Sequence, residues 1–267
     1  MIRLNQEKIN TGYFPDGTLL LKQQVPVDFT KERSFTIEWL FENNEEMVTL
    51  IYLVKHLKSH GITKIHLNLP YIPNARQDRV KGEEDVFTLK YFAEIINDLS
   101  FASVTVLDPH SYVAEALIDR IIVQSPKPLV EKVINSLDSS CLTMFYPDEG
   151  AMKRYSGMFE LPYAFGIKKR DWKTGKIQGL SVSGMTEMIE GKDILIVDDI
   201  CSRGGTFYHS AKSLKELGAG NIYLYISHCE NTILEGELLQ SGFIEKVFTT
   251  NSIFTKQHEM IEIIEIL

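Results

Sequence analysis

Apolar residues recur along this chain in two rhythms that take turns. SFTIEWLF alternates apolar and polar positions, as a strand with one buried face does. A 3.6-residue period then takes over, placing Met47, Leu50, Ile51, Val54 and Leu57 on one side of a helix that Asn43 and Asn44 precede and Gly61 stops. KIHLNLPYI reads as the next strand, FTLKYFAEIINDL as a helix, and ASVTVLDPHS as a strand ending in polar residues. The second half repeats the pattern: LTMFYPDEG as strand and loop, DILIVDDI as strand, TFYHSAKSLKELGAG as helix, NIYLYISH as strand. This alternation predicts an α/β fold of mostly parallel sheets flanked by helices, with ligands gathering outside the carboxyl ends of the strands. Pro126 and Pro128 interrupt the pattern, so the reading places an N-terminal lobe at 1–126 and a C-terminal lobe at 127–267. KKRDWKTGKIQGLSVSG, polar, basic and glycine-bearing, is expected to be a mobile loop or hairpin.

Composition narrows what such a fold does. The 267 residues, 44% of them hydrophobic, suffice for two cores. A net charge of −8 argues against tracking a nucleic-acid backbone, yet leaves room for locally basic groups around a small anion. Cys141, Cys201 and Cys229 form no C-x-x-C, so neither a disulfide framework nor a zinc site is expected, and Cys201 reads as a small buried filler. The amino terminus lacks an apolar signal region, and no run reaches the roughly 18 apolar residues of a membrane span. A soluble, cytoplasmic protein with no membrane or nucleic-acid partner is the expectation.

The most informative stretch is ILIVDDICSRGGTFYHSAKSLKELGAG. A strand ending in Asp198 and Asp199 offers carboxylates to the vicinal hydroxyls of a ribose. Gly204 and Gly205 permit positive φ and close backbone approach, and a helix opened by Thr206 presents free N–H groups to a phosphate. Neither G-x-x-x-x-G-K-[ST] nor G-x-G-x-x-G occurs in the chain, which leaves P-loop and Rossmann binding unsupported.

IVDDICSRGGT resembles the phosphoribosyl-diphosphate (PRPP) loop shared by phosphoribosyltransferases and PRPP synthetases. LPYIPNARQDRV resembles the ARQDR segment of the synthetases, which simple phosphoribosyltransferases lack. In the same order, YFPDGT is similar to the F-x-D-G-E loop, VLDPHS to V-D-L-H, PDEGAMKR to P-D-x-G and IKKRD to the flexible-loop K-x-R. On these motifs the chain is identified as a member of the ribose-phosphate pyrophosphokinase family, with two lobes of the type I phosphoribosyltransferase kind. The resemblance implies that Arg76, Gln77 and Arg79 bind ATP, aided by Phe14 and Asp16 of a neighbouring subunit in a homodimer or larger homo-oligomer. His110 and Asp148 would share Mg²⁺, and Lys168 and Arg170 would be transition-state cations beside His110. Asp198, Asp199, Ser202, Arg203, Gly204, Gly205 and Thr206 would hold the ribose phosphate. The implied reaction moves the β,γ-diphosphate of ATP to the C1 hydroxyl of ribose 5-phosphate.

Departures from the family pattern are informative too. Its phosphate loop reads D-D-x-x-D-T-G-G-T, whereas an acid and a threonine are here Ser202 and Arg203, a change that reads either as drift with Arg203 turned to water or as a cradle for a more anionic 5-substituent. ADP-ribose is therefore an alternative acceptor, known for a phage branch of the family that rebuilds NAD. Thr18 replaces an acid, and the family's opening strand and helix and its terminal helical segment look missing or reduced. A PRPP-consuming phosphoribosyltransferase and a noncatalytic synthetase-associated protein are the other readings.

Overall fold

The computed structural model describes residues 1–23, 34–137, 141–170, 177–184 and 186–267, and the side chains of these except at 168–170, 177–180 and 186. The chain divides into two compact units, Met1–Ser125 and Pro126–Ile266. No described helix is long and apolar enough to cross a membrane.

The first unit opens with four short strands, β1 (Ile2–Leu4), β2 (Glu7–Lys8), β3 (Thr11–Tyr13) and β4 (Leu19–Leu21). Then follow β5 (Phe35–Trp39), α1 (Glu45–Ser59), β6 (Ile65–Asn68), α2 (Thr88–Asp98), β7 (Ser103–Leu107), α3 (Tyr112–Leu117) and β8 (Ile121–Gln124). The described sheet runs β2-β1-β5-β6-β7-β8, parallel from β5 to β8 and antiparallel on either side of β1, while β3 and β4 pair as a separate hairpin. The buried stripe of α1 is Leu50, Leu53, Val54 and Leu57, so Leu53 joins the predicted face and Met47 and Ile51 lie at its margin. Asn44 makes no side-chain cap; the Asn43 side-chain oxygen Oδ1 instead accepts from the Glu46 backbone N–H at 3.3 Å.

The second unit comprises α4 (Lys127–Ser136), β9 (Leu142–Tyr146), α5 (Glu149–Tyr155), β10 (Tyr163–Arg170), β11 (Ile177–Gly184), β12 (Asp193–Cys201), α6 (Gly205–Glu216), β13 (Ile222–Cys229), β14 (Lys246–Thr250) and β15 (Ile261–Ile264). Its described sheet runs β11-β10-β9-β12-β13-β14-β15, parallel except for the β10/β11 hairpin. The basic segment read as a loop or hairpin is thus a hairpin in its described part, and residues 171–176 lie outside the described residues.

The apolar run Ile194–Val197 explains why β12 is central. Ile194 and Ile196 pack with Phe207, Ala211 and Leu214 of α6, whereas Leu195 and Val197 pack with Val130 and Val133 of α4 and Ala151 and Tyr155 of α5. A parallel strand covered on both faces needs apolar residues on both, which is why its sequence does not alternate. From β9 the chain leads through α5 to β10 on one side, and from β12 through α6 to β13 on the other. The loops leaving these adjacent strands diverge, opening a crevice at their carboxyl ends.

Candidate active site

That crevice is where β12 delivers its acids. Asp199 is nearly buried; its Oδ1 accepts from the Ile200 amide at 2.9 Å and its Oδ2 from Arg154 Nη1 of α5 at 3.2 Å. Asp198 accepts from the Asp199 amide at 3.0 Å. Burial, then the carboxylates of Asp199 and Asp148, push its acid well above the usual carboxylate range. Asp148 itself caps α5, its Oδ1 accepting from Ala151 N at 3.0 Å. Asp198 and Asp199 end β12 while Asp148 follows the adjacent strand β9, so like charges from two strand ends act on Asp198, an effect that a cation would relieve.

Gly204 follows in the left-handed region, φ 79°, as the cap of α6. A Cβ there would lie 2.9 Å from Leu238 Cδ2, so both torsion and space require glycine. No side chain caps α6, and its first amide groups and positive dipole end face the loop without an intrahelical acceptor. A short segment after β13 braces this loop. Ser202 Oγ lies 3.2 Å from Thr232 Oγ1, which donates to Glu230 at 3.1 Å, and the Glu230 amide donates to the Cys201 carbonyl at 2.8 Å. Arg203 donates to Glu235 at 2.9 Å in an exposed ion pair. Cys201 is buried in the core, as its reading as a filler expected.

In the first unit, loops at the carboxyl ends of β6 and β7 carry the other candidates. Arg76, Gln77 and Arg79 are exposed while Asp78 between them is buried. Arg79 grips that carboxylate with two bonds, Nε to Oδ1 at 2.7 Å and Nη2 to Oδ2 at 2.9 Å. The Arg79 bonds, aided by the Ser111 hydroxyl and the charge of His110, hold the Asp78 acid down to about 2. Asp78 thereby ties the Arg76–Arg79 segment to the His110–Ser111 turn. Gln77 is fixed as well, its Oε1 accepting from Thr88 Oγ1 at 2.7 Å. At the tip of the β3/β4 hairpin, Phe14 is exposed and Asp16 accepts from the amide and hydroxyl of Thr18 at 3.0 and 2.7 Å, bonds that lower its pKa.

Comparison with known proteins fits this geometry. No family model matches the chain. A ribose-phosphate pyrophosphokinase of Sulfolobus acidocaldarius is 27% identical over 254 residues, covering 92% of this chain and 84% of the relative. The Ureaplasma parvum enzyme of that name is 25% identical over 279 aligned positions, 100% of this chain and 82% of the relative. The chain is a homologue of the ribose-phosphate pyrophosphokinases. The crystal structure of phosphoribosylpyrophosphate synthetase from Mycobacterium smegmatis shares the fold, with a TM-score of 0.79, 18% identity and coverage of 97% of this chain and 86% of that one.

Among the positions matched to pyrophosphokinase motifs, Asp148 lies past the end of β9 and Asp198 and Asp199 at the end of the adjacent β12, and Arg76, Gln77, Arg79 and His110 occupy neighbouring loops of one sheet. The backbone of Lys168 and Arg170 ends β10, and their side chains lie outside the described residues. Sequence reasoning missed Asp78 and Arg154, both inside the motifs ARQDR and PDEGAMKR and both signalled there by charge. It also missed Thr232 and Gly236, which carry no chemical signature.

Proposed function

We propose that the protein is a cytoplasmic ribose-phosphate pyrophosphokinase. The C1 hydroxyl of ribose 5-phosphate attacks the β-phosphorus of ATP, the bond from that phosphorus to the oxygen of the α-phosphate breaks, AMP leaves and the hydroxyl proton passes to solvent. The observation that carries the reading is the end of β12: two carboxylates, a glycine turn and an uncapped helix start in immediate succession at a strand crossover. Asp198 and Asp199 accept from the ribose hydroxyls, and the amides of Gly204, Gly205 and Thr206 receive the 5-phosphate. Arg76, Gln77 and Arg79 bind ATP, with Phe14 and Asp16 supplied by a second copy of the chain. Lys168 and Arg170 neutralise charge on the diphosphate in flight.

Asp148 and Asp198 offer the oxygen donors that Mg²⁺ takes, and a bound ion would screen and orient the triphosphate. Asp148 and His110 are the proposed ligands. Among the described residues no group of three or more His, Cys, Asp or Glu side chains is arranged to hold a metal. Phosphate oxygens and water would complete the shell, as is usual for Mg²⁺.

The test is AMP release from ATP and Mg²⁺ with ribose 5-phosphate or ADP-ribose, products resolved by mass. The curated relatives' name favours ribose 5-phosphate as the acceptor, and Arg203 stands in an exposed ion pair with Glu235 of its own chain. Turnover on ADP-ribose alone would instead assign Ser202 and Arg203 to a diphosphate. PRPP consumption without ATP would mean a phosphoribosyltransferase, and no AMP with either acceptor a noncatalytic relative.

A further inference from the structure

Arg154 has no part in the chemistry just described, yet it is placed more deliberately than a surface cation. It stands on α5 with its side chain 20% exposed, against an Asp199 side chain 8% exposed. The same short helix begins at Asp148, whose carboxylate acts on Asp198. One element therefore presents an acid to one member of the β12 pair and a guanidinium to the other. Both oxygens of Asp199 are engaged, one by the Ile200 amide and one by Arg154, so its carboxylate plane is fixed. Asp198 has its Oδ1 on the Asp199 amide. A carboxylate has about four lone-pair directions, and those left over by the protein define where a sugar hydroxyl can donate.

We propose that Arg154 is a positioning residue that fixes Asp199 as a hydroxyl acceptor and so sets the preference for ribose 5-phosphate over its 2-deoxy analogue. The inference rests on the acceptor assignment made under Proposed function. The physical reason is that a buried carboxylate held at both oxygens cannot turn to follow a sugar lacking a hydroxyl, so the hydrogen bond that hydroxyl would donate is lost without replacement. Arginine is required because its planar fork sets direction as well as charge, whereas a lysine supplies a point charge.

The experiment is calorimetric titration of the full chain with ribose 5-phosphate, 2-deoxyribose 5-phosphate and Mg²⁺-ATP, for the wild type, Arg154→Lys and Arg154→Gln, with thermal melts to verify folding. Removing the cation that pairs with a buried carboxylate can unfold the site, so Arg154→Lys, which keeps the charge, is the deciding variant. The wild type is expected to favour ribose 5-phosphate by about 10-fold or more, and Arg154→Lys to weaken it roughly 5-fold while the deoxy sugar and ATP stay within about 2-fold. Arg154→Gln, where folded, should abolish the preference. A lysine variant that weakens both sugars alike, weakens ATP instead, or binds all three as the wild type does overturns the inference and leaves the function standing. A wild type that binds ribose 5-phosphate without discriminating does the same. A wild type that does not bind ribose 5-phosphate overturns the function and the inference together.

Discussion

Replacing Gly236 by alanine should damage acceptor use although Gly236 touches no substrate group. The residue follows the turn Asn231–Glu235 with φ −92° and ψ 172°, a backbone any residue adopts, so alanine meets no torsional penalty. The obstacle is contact: its Cβ would overlap the carbonyl oxygen of Arg203 and come within 2.9 Å of that carbonyl carbon. The loop cannot simply step aside, because the Cys201 carbonyl is bonded to Glu230 N at 2.8 Å and the Gly204 carbonyl to Tyr208 N at 2.9 Å. Overpacking of this kind costs about 1–3 kcal/mol. In a domain of this size that lowers the thermal midpoint by roughly 2–10 °C. A shift of the phosphate loop by about 1 Å should lower kcat/KM for ribose 5-phosphate on the order of 100-fold, while KM for ATP is little changed. Gly157→Ala is the control, since nothing lies within 4 Å of its Cβ position. The assay is AMP formation against acceptor concentration, with melts of both variants. Gly236→Ala indistinguishable from Gly157→Ala in both would refute the reasoning.

Asp78→Asn should lose about 1 kcal/mol, a value kept small because Arg79 is 62% exposed and screened. The Asp78 pKa falls from 3.8 to about 2 on folding, so this stability is present above the higher value and disappears as pH drops through the lower. Urea unfolding should show the gap between wild type and variant closing over that window, and a gap unchanged down to about pH 2 contradicts the account. Asp198 has the opposite sign: its raised folded pKa makes the ionised group a burden as pH rises. Asp198→Asn without Mg²⁺ should therefore melt higher than the wild type at pH about 8, gain less at pH about 4, and lose acceptor binding; a lower melting point at the higher pH argues against the crowding. Arg203→Thr breaks an ion pair with side chains 71% and 59% exposed, so stability should change by no more than about 0.5 kcal/mol in denaturant titrations. A loss above about 2 kcal/mol would give that pair a structural weight its exposure denies.

The parts legible in the sequence are those whose burial pattern is written locally. β5 alternates because one face is covered, β12 is apolar throughout because both are, and α1 and α6 carry stripes that match their packing to within a residue or two. The DD-x4-GG order likewise places acids, turn and helix start consecutively, so the acceptor cradle could be read without coordinates. Local signals are weaker in the six-residue α3, the seven-residue α5 and the four-residue strands β8 and β15, elements too short for periodicity to accumulate. What the tertiary structure decided was partnership between distant positions. Arg154 reaches Asp199, Asp78 reaches Ser111, Thr232 reaches Ser202, and Gly236 meets Arg203 across separations that no local period records. The sequence alone determined which residue types arrive at the strand ends; the order of strands in the sheet decided which of them meet, because only that order sets which loops diverge and which pack together.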